Sequence, residues 1–344
     1  MQPTSGQILS VPMASRYAAV HQSPKGPGDA RPTASQIVQD QGLKDQLGDK
    51  VILLTGASAG LGVETAKALF ETGATLYLTA RDLDKAQAAL GSLAGSERVH
   101  LLELDLNSLA SVRRCAAEFK KKSNTLNILI ENAGVMACPE GVTADGFETQ
   151  LGTNHLAHFL LFYLLQPVLL ASSTPSFNSR VVILASSAHM ITDVHFDNIN
   201  LRGEYDPWMA YGQSKTANIW TANEIDRRFG SKGLHAFSLH PGAIATDLLK
   251  HVTDELRTSW TEDEYLKGYW KSPAQGAATT VWAALAKELD GKGGKYLDDC
   301  QIAGPHDPAR SGGQGPGYKS WAYNLDGERR LWHKTLELLK SDDL

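Results

Sequence analysis

Val51-Ile52-Leu53-Leu54-Thr55-Gly56-Ala57-Ser58-Ala59-Gly60-Leu61-Gly62 is the stretch that decides how this chain folds. Its first five residues form an apolar, β-rich run, which predicts a strand of a parallel sheet covered on both faces. Three glycines follow, and the chain then enters a helical pattern from Gly62 to Thr72, ended by Gly73. Strand, glycine turn and helix in that order are the context that dinucleotide binding requires. The glycines permit a tight turn and let backbone amides approach a pyrophosphate, whose charge then sits at the positive end of the helix. Gly56, Ser58, Gly60, Leu61 and Gly62 are the residues expected against it.

From this turn outward, apolar β-rich runs alternate with helical periodicity. Strands are expected near Val51 to Thr55, Thr75 to Ala80, Val99 to Glu103, Ile128 to Asn132, Val181 to Ser186, His235 to His240 and Lys295 to Leu297. Helices are expected over Ser108 to Lys122, Phe147 to Leu170 with a break at Pro167, Ala210 to Phe229 and Pro273 to Leu289. The fold class is α/β: a Rossmann-type, doubly wound, mainly seven-stranded parallel sheet with helices on both faces. One domain is expected over 46–344, with a substrate lid around 247–272 and a C-terminal loop and helix over 300–344. Residues 1–45 stand apart as an N-terminal extension, partly flexible, and Gly304 to Gly317 reads as a Gly/Pro-rich surface loop.

The bulk numbers narrow the function. The 344 residues are 42% apolar with 31 glycines, as in a soluble globular enzyme. A net charge of -5 without a basic stripe argues against nucleic acid as a partner. Cys115, Cys138 and Cys300 form no close pair and no metal-ligand spacing, so reduced thiols in the cytoplasm are expected. The longest apolar run, Leu156 to Ala171, is too short to span a bilayer and reads as a core or subunit-interface helix. The leader holds no acidic residue before Asp29 and has no secretory h-region, leaving a flexible segment or a mitochondrial transit peptide.

The second strand ends in Arg81, where an acidic residue would be expected to hold an unmodified ribose. A guanidinium fork suits a 2′-phosphate instead, so NADP(H) is expected in preference to NAD(H). An exposed Arg81 paired with Asp82 is the alternative. Asp105 could accept a hydrogen bond from adenine or cap the helix after it. Asn132-Ala133-Gly134 offers small residues that let a cofactor lie against the backbone.

Tyr211 and Lys215 stand four residues apart, on one face of a helix. A phenol ionises near pH 10, and a cation within about 4 to 6 Å would lower that value. The pair therefore reads as a working proton donor.

Together these motifs resemble the short-chain dehydrogenase/reductase family from about Lys50 to Leu297, with most likeness to its retinol-dehydrogenase and WW-domain-oxidoreductase-like branch. The motifs are Thr55 to Gly62, Asn132 to Gly134, Asn154, Ser186-Ser187, Tyr211 to Lys215, and Pro241-Gly242 with Thr246. His189 and His240 are shared with that branch. The resemblance implies a catalytic set of Asn154, Ser187, Tyr211 and Lys215, with Ser186 as the competing serine. Asn154 would hold a water that relays protons to Lys215. It also implies cofactor contacts at Leu106, Ile244 and Thr246 beside those already named, and at Tyr211 and Lys215. Glu131 replaces a second Asn of the family, with little consequence expected, and the long gap from Ser187 to Tyr211 implies an inserted loop through Asp193 to Trp208.

Leu248, Leu249, Trp260, Tyr265, Tyr269 and Trp270 gather apolar groups in the segment that covers substrate in this family, which favours a lipophilic small molecule. His155, His158 and His189 lack the company of carboxylates or cysteines that a metal would need, and hydride transfer needs none. Two other readings compete, and the first is disfavoured by the spacing of Gly56, Gly60 and Gly62. A sugar-nucleotide epimerase would space its glycines differently, and a catalytically silent NADP(H)-binding scaffold or redox sensor would bind cofactor without turnover. A homodimer is open too, since the helices Phe147 to Leu170 and Ala210 to Phe229 could meet a second subunit or the extra segments of this chain.

Overall fold

The computed structural model describes residues 15–307 and 315–339. The leader up to residue 14, the middle of the Gly304 to Gly317 loop, residues 340–344 and the side chains of Glu264 and Tyr265 lie outside the described residues. Ten strands occur in chain order among the described residues: β1 (Val51–Thr55), β2 (Thr75–Ala80), β3 (Val99–Glu103), β4 (Ile128–Glu131), β5 (Ser179–Leu184), β6 (Leu234–His240), β7 (Ala243–Ile244), β8 (Trp270–Lys271), β9 (Lys295–Asp298) and β10 (Gln301–Ile302). Eight of them form one sheet in the order β10-β9-β6-β5-β4-β1-β2-β3.

Seven of these strands are parallel, as expected, and the eighth, β10, runs antiparallel to β9. The turn between them is Asp299-Cys300, both left-handed with φ 52° and 55°. Asp299 is a common occupant of such a position but Cys300 is not, so the Asn-Gly or Asp-Gly signal of a hairpin is missing there.

Strand alternation distributes the core. Ile52 and Leu54 of β1 face one layer, and Leu53 faces the other, all fully buried. The first layer packs Gly60–Phe70, Ala34–Asp40 and Ala278–Leu285 on the sheet, and the second packs Leu109–Lys122, Ala157–Ser172 and Pro207–Phe229. Each fully buried aliphatic side chain contributes about 1.5–3 kcal/mol to this arrangement. The topology reverses between β1 and β4, which opens a crevice at the carboxyl ends of the strands.

Several helices depart from expectation. Leu83–Leu90, capped by the Asp82 side chain, carries no long apolar pattern. Pro167 does not break its helix, which runs from Ala157 to Ser172; the proline is on an exposed turn, where water can take the carbonyl that loses its partner. The segment from Pro273 onward is split into Pro273–Gly276, Ala278–Leu285 and a short 3-10 turn. In the N-terminal extension, Ala34–Asp40 buries Ile37 and Val38 completely.

Thr149–Ser172 is a 24-residue helical stretch long and apolar enough to cross a membrane by length and composition, with mean hydropathy 1.5 and 56% of that window buried inside the protein. Its core side carries Phe159, Leu160, Phe162 and Leu165. Against it lies Leu325–Leu338, whose Trp332 meets Phe159 at 4.8 Å, Phe162 at 6.4 Å and Phe229 at 6.4 Å. An extra segment of the same chain thus covers part of the apolar surface of Ala157–Ser172 and Pro207–Phe229, while Tyr163, Leu164, Val168 and Leu170 stay only partly buried.

Candidate active site

Gly56 adopts φ +77°, and a Cβ there would lie 2.8 Å from the Cβ of Ala133. At Gly62 a Cβ would come within 1.9 Å of the Gly56 carbonyl oxygen. Only glycine can bring turn, helix and the β4 loop this close, and the N-terminus of Gly60–Phe70 is thereby aimed at the crevice.

A cavity of about 1360 Å³ runs from this turn across the carboxyl ends of the strands. Gly56, Ser58, Gly60, Leu61, Gly62, Arg81, Asp105, Leu106, Asn132, Ala133, Gly134, Pro241, Gly242, Ile244 and Thr246 all line it, as do Ser186, Ser187, Tyr211 and Lys215. Asn154, fully buried, sits one layer behind.

At the nucleotide end, Asp82 accepts from the backbone of Lys85 at 2.9 Å as a helix cap, so its carboxylate is engaged away from the Arg81 guanidinium expected as its alternative partner. Lys85 also lines the cavity and pairs across it with Asp247 at 3.6 Å. Neither residue was expected. The missing signal was the helix Leu83–Leu90 itself, which places Lys85 one turn beyond Arg81. Asp105 holds the backbone N–H of Asn107 at 3.0 Å, while Ser108 caps the following helix.

Beneath Asn132 and Ala133 a buried network is closed. Thr55 Oγ1 accepts from both backbone amides, at 2.9 and 3.0 Å, and its hydroxyl meets His158 Nε2 at 3.0 Å. His158 Nδ1–H then donates to the Asn154 carbonyl at 3.1 Å. Asn154 lies in the π-helical turn Gly152–Leu156, a feature frequent at functional sites. The Asn154 amide clamps Val135 through its N–H (2.9 Å) and C=O (2.9 Å) and donates to Ser214 at 3.0 Å. His155 similarly meets Thr335 at 2.9 Å, and His189 donates to the Ser186 carbonyl at 2.6 Å. Among the described residues, no three His, Cys, Asp or Glu side chains gather to hold a metal.

At the other end of the cavity, Tyr211 and Lys215 project from Pro207–Phe229, a helix started by the Asp206 cap and Pro207. The Lys215 ammonium nitrogen is 5.5 Å from the centre of the Tyr211 ring and donates to the Leu184 carbonyl at 3.0 Å. Burial brings Lys215 down to about 7 and pushes Tyr211 up to about 12, with the hydrogen bond from Ser186 pulling the phenol the other way. The expected lowering of the phenol by its lysine is therefore reversed in the protein alone. Both groups are 4% exposed, and at such burial desolvation of the charged forms outweighs their attraction.

The two serines divide. Ser186 hydrogen-bonds the Tyr211 phenol and accepts the Ala188 N–H at 3.1 Å. Ser187 is fixed through its backbone N–H to His240 Nδ1 at 3.2 Å and presents a second hydroxyl on the same wall. Glu131 is 2% exposed with one oxygen unpartnered, and burial lifts its carboxyl to about 8, so the family departure there leaves a neutral acid inside the sheet.

Apolar groups close the Tyr211 end: Met136, Ile191, Trp208, Leu248, Leu249 and Trp260 line the cavity there. Trp260 meets Trp208 at 5.9 Å, and Trp208 meets Tyr211 at 6.4 Å.

Residues 50–257 match the family model for short chain dehydrogenase. The chain is 52% identical to short-chain dehydrogenase/reductase prx1 of Penicillium roqueforti over 94% of its own length and 95% of the relative's. It is 37% identical to retinol dehydrogenase 11 of Homo sapiens, covering 86% and 87% of the two chains. A crystal structure of an uncharacterized protein from Mycobacterium Paratuberculosis superposes with a TM-score of 0.66 at 32% identity, over 90% of this chain and 98% of that one.

Proposed function

Because the chain belongs to the short chain dehydrogenase family, we propose that it interconverts a carbonyl and an alcohol on a lipophilic small molecule, with Tyr211 as general acid and base and NADP(H) preferred to NAD(H). One observation carries this reading: a single cavity joins a glycine cradle, flanked by Arg81 and Lys85, to a buried phenol under an apolar wall. The cradle fits a dinucleotide, because its glycines let turn, helix and β4 loop close on one another and leave the N-terminus of Gly60–Phe70 facing the cavity, where its free amides suit a phosphate. When bound, the nucleotide supplies or accepts the hydride.

The residues divide the remaining work. In the reductive direction Tyr211 enters protonated, since its phenol stays neutral far above pH 7. It gives its proton to the carbonyl oxygen as carbon gains the hydride. Ser186 has its hydroxyl proton on the phenol and supports the phenolate left behind. Ser187 is then the hydroxyl proposed to hold the carbonyl oxygen. Lys215, close to half-protonated near neutral pH, steadies the phenolate and returns a proton to it. Asn154 keeps the floor under Gly134 and Val135 in register. Arg81 and Lys85 would receive a 2′-phosphate. Retinol, the compound in one relative's name, is an alcohol with an apolar body, and it supports the same substrate class. The three unpaired, buried cysteines support a reducing compartment such as the cytoplasm.

Titration of the purified protein with NADPH and NADH should show the phosphorylated form binding more tightly. A panel of lipophilic carbonyls followed by NADPH absorbance should then reveal turnover that Tyr211→Phe lowers by about 10²–10⁴-fold. Cofactor binding with no turnover dependent on Tyr211 would make the protein a silent scaffold.

A further inference from the structure

The N-terminal extension does more than lead into β1. Arg31 has a side chain only 1% exposed, and its guanidinium donates to four backbone carbonyls from two distant parts of the chain. Gly26 accepts at 3.0 Å on one side, and Gly268, Tyr269 and Trp270 accept at 3.2, 2.9 and 2.6 Å on the other. The Nε–H goes to Asp29 at 2.8 Å, which neutralises the charge, while Nη2 shares its two hydrogens among Gly26, Gly268 and Trp270. A buried guanidinium is tolerated only when its donors are satisfied, and here most of the acceptors belong to the segment that closes the substrate cavity.

Independent contacts repeat the pattern. Gly26 N–H donates to the Gly268 carbonyl at 3.0 Å. A Cβ on Gly268 would stand 2.7 Å from the Pro24 carbonyl oxygen, so strap and lid pass at a distance only glycine allows. Gln275, just beyond the lid, accepts from Gly28 N–H at 2.8 Å and donates to the carbonyls of Asp29 and Arg31 at 3.2 and 3.1 Å. Leu266, Tyr269 and Trp270, which line the cavity, are thus within or next to the segment the extension grips.

We infer that residues 24–31 are a strap that fixes the C-terminal end of the substrate-covering segment, with Arg31 as the positioning residue through which the extension governs carbonyl binding. This rests on the carbonyl-reductase reading of the cavity. Arg31 touches neither of the reacting groups, and the phosphate turn is held by its own glycines. Loss of the pin therefore acts on the wall around the substrate and leaves the cradle for the nucleotide in place. Lysine cannot substitute, because one ammonium has neither the span nor the number of donors of the fork.

The experiment compares the full-length protein with Arg31→Ala, Arg31→Lys and Gly268→Ala, using Arg16→Ala, an exposed position on the same extension, as control. NADPH affinity, KM and kcat for a large lipophilic carbonyl, and hydrogen exchange of amides 254–271 are measured in each. The expected result is a KM raised about tenfold or more, an NADPH Kd within twofold, and exchange faster in 254–271 but unchanged in 51–80. Arg31→Lys should follow Arg31→Ala, and Arg16→Ala should follow the parent. Unchanged KM and unchanged exchange overturn the inference, as does a uniform rise in exchange across both regions. Should Arg31→Ala fail to fold, Gly268→Ala loosens the same contact from the lid side and is read by the same two measurements. If the parent protein reduces no carbonyl at all, the functional reading fails, while exchange in 254–271 still decides whether the strap holds the lid.

Discussion

From Ala210 to Ile225 every residue of the helix carrying Tyr211 and Lys215 is buried, whereas the lid helix Asp254–Glu262 buries none of its residues. The floor of the cavity is backed by two packed layers and by the helix Leu325–Leu338; the lid is held through a few contacts at its ends and through Trp260 on Trp208. Proton transfer needs groups held within fractions of an ångström, and only a core supplies that. A wall that opens to admit and release a ligand is better placed on the low-stability side of a molecule. The two regions should therefore answer differently to the same kind of damage: the floor in folding and rate, the lid in substrate binding.

The largest effect is expected where the floor is backed. Trp332 is 5% exposed among Phe159, Phe162 and Phe229, and Trp332→Ala should lower unfolding free energy by about 3–5 kcal/mol in denaturant titration. A loss below about 1 kcal/mol would mean that the C-terminal helix is not part of the floor's support. Next come the serines. Ser187→Ala should reduce kcat/KM about 10²–10³-fold, or ~3–4 kcal/mol, as for the loss of one oxyanion donor. Ser186→Ala should cost less and move the high-pH limb of the reductive profile upward, because the phenol loses the hydrogen bond that pulls its pKa down. The opposite ranking would transfer the carbonyl oxygen to Ser186.

Acid should also act through the floor. His155, His158, His189 and His240 are buried, and burial holds them at about 3, 4, 4 and 3. The unfolded chain takes up these protons below about pH 6.5 and the folded one does not, so their contribution is intact above that pH and is lost as pH falls through it. Glu131 and Asp298 run the other way, since burial raises both carboxyls and the folded state holds their protons more firmly. Lys215, with a folded value near 7, adds no slope in this window. With His21 lowered and Glu148 raised by burial as one more group on each side, the histidines outweigh the carboxyls and leave a net loss on the order of 1–3 kcal/mol per pH unit between pH 6.5 and 4.5, shallowest at the top of that window. Urea unfolding at pH 6.5 and 5.5 measures this directly, and equal stability at the two values would contradict it.

The same division explains what was legible in the sequence. The strands from β1 to β6 and β9 announce themselves, because a parallel sheet covered on both faces needs continuous apolar runs, and the glycine turn is readable because close backbone approach leaves no other residue type. Every cofactor-side residue expected from those motifs lines the cavity. What stayed hidden depends on distance in the chain or on environment. Arg31 reaches carbonyls some 240 positions away, and no local pattern marks it. Lys85 needed a helix whose apolar signal is slight, and the π turn at Asn154 is a single extra residue per turn with no compositional mark. The shift of Tyr211 has the opposite sign to the one its spacing implies, because spacing shows the neighbouring cation and cannot show the burial that outweighs it.

The smallest effect is expected at the lid, and it is the one that separates the two regions most sharply. Trp260 and Trp332 are the same residue type, and both pack edge-on against aromatic rings. Trp332 is enclosed, so its removal leaves a cavity; Trp260 stands half-buried on a helix with no buried residue, so the space it vacates joins solvent and the substrate cavity. No cavity term then applies, and Trp260→Ala should change unfolding free energy by less than about 1 kcal/mol. Its apolar face is instead lost to the substrate, and through Trp208 to the edge of Tyr211. KM for a large lipophilic carbonyl should rise about tenfold, ~1.4 kcal/mol, with NADPH affinity unchanged and kcat within a fewfold. A short-chain carbonyl that does not reach Trp260 should show little change in either constant. If Trp260→Ala instead lowers stability as much as Trp332→Ala while KM holds, the lid is a structural part of the core, and substrate selection must be sought on the floor.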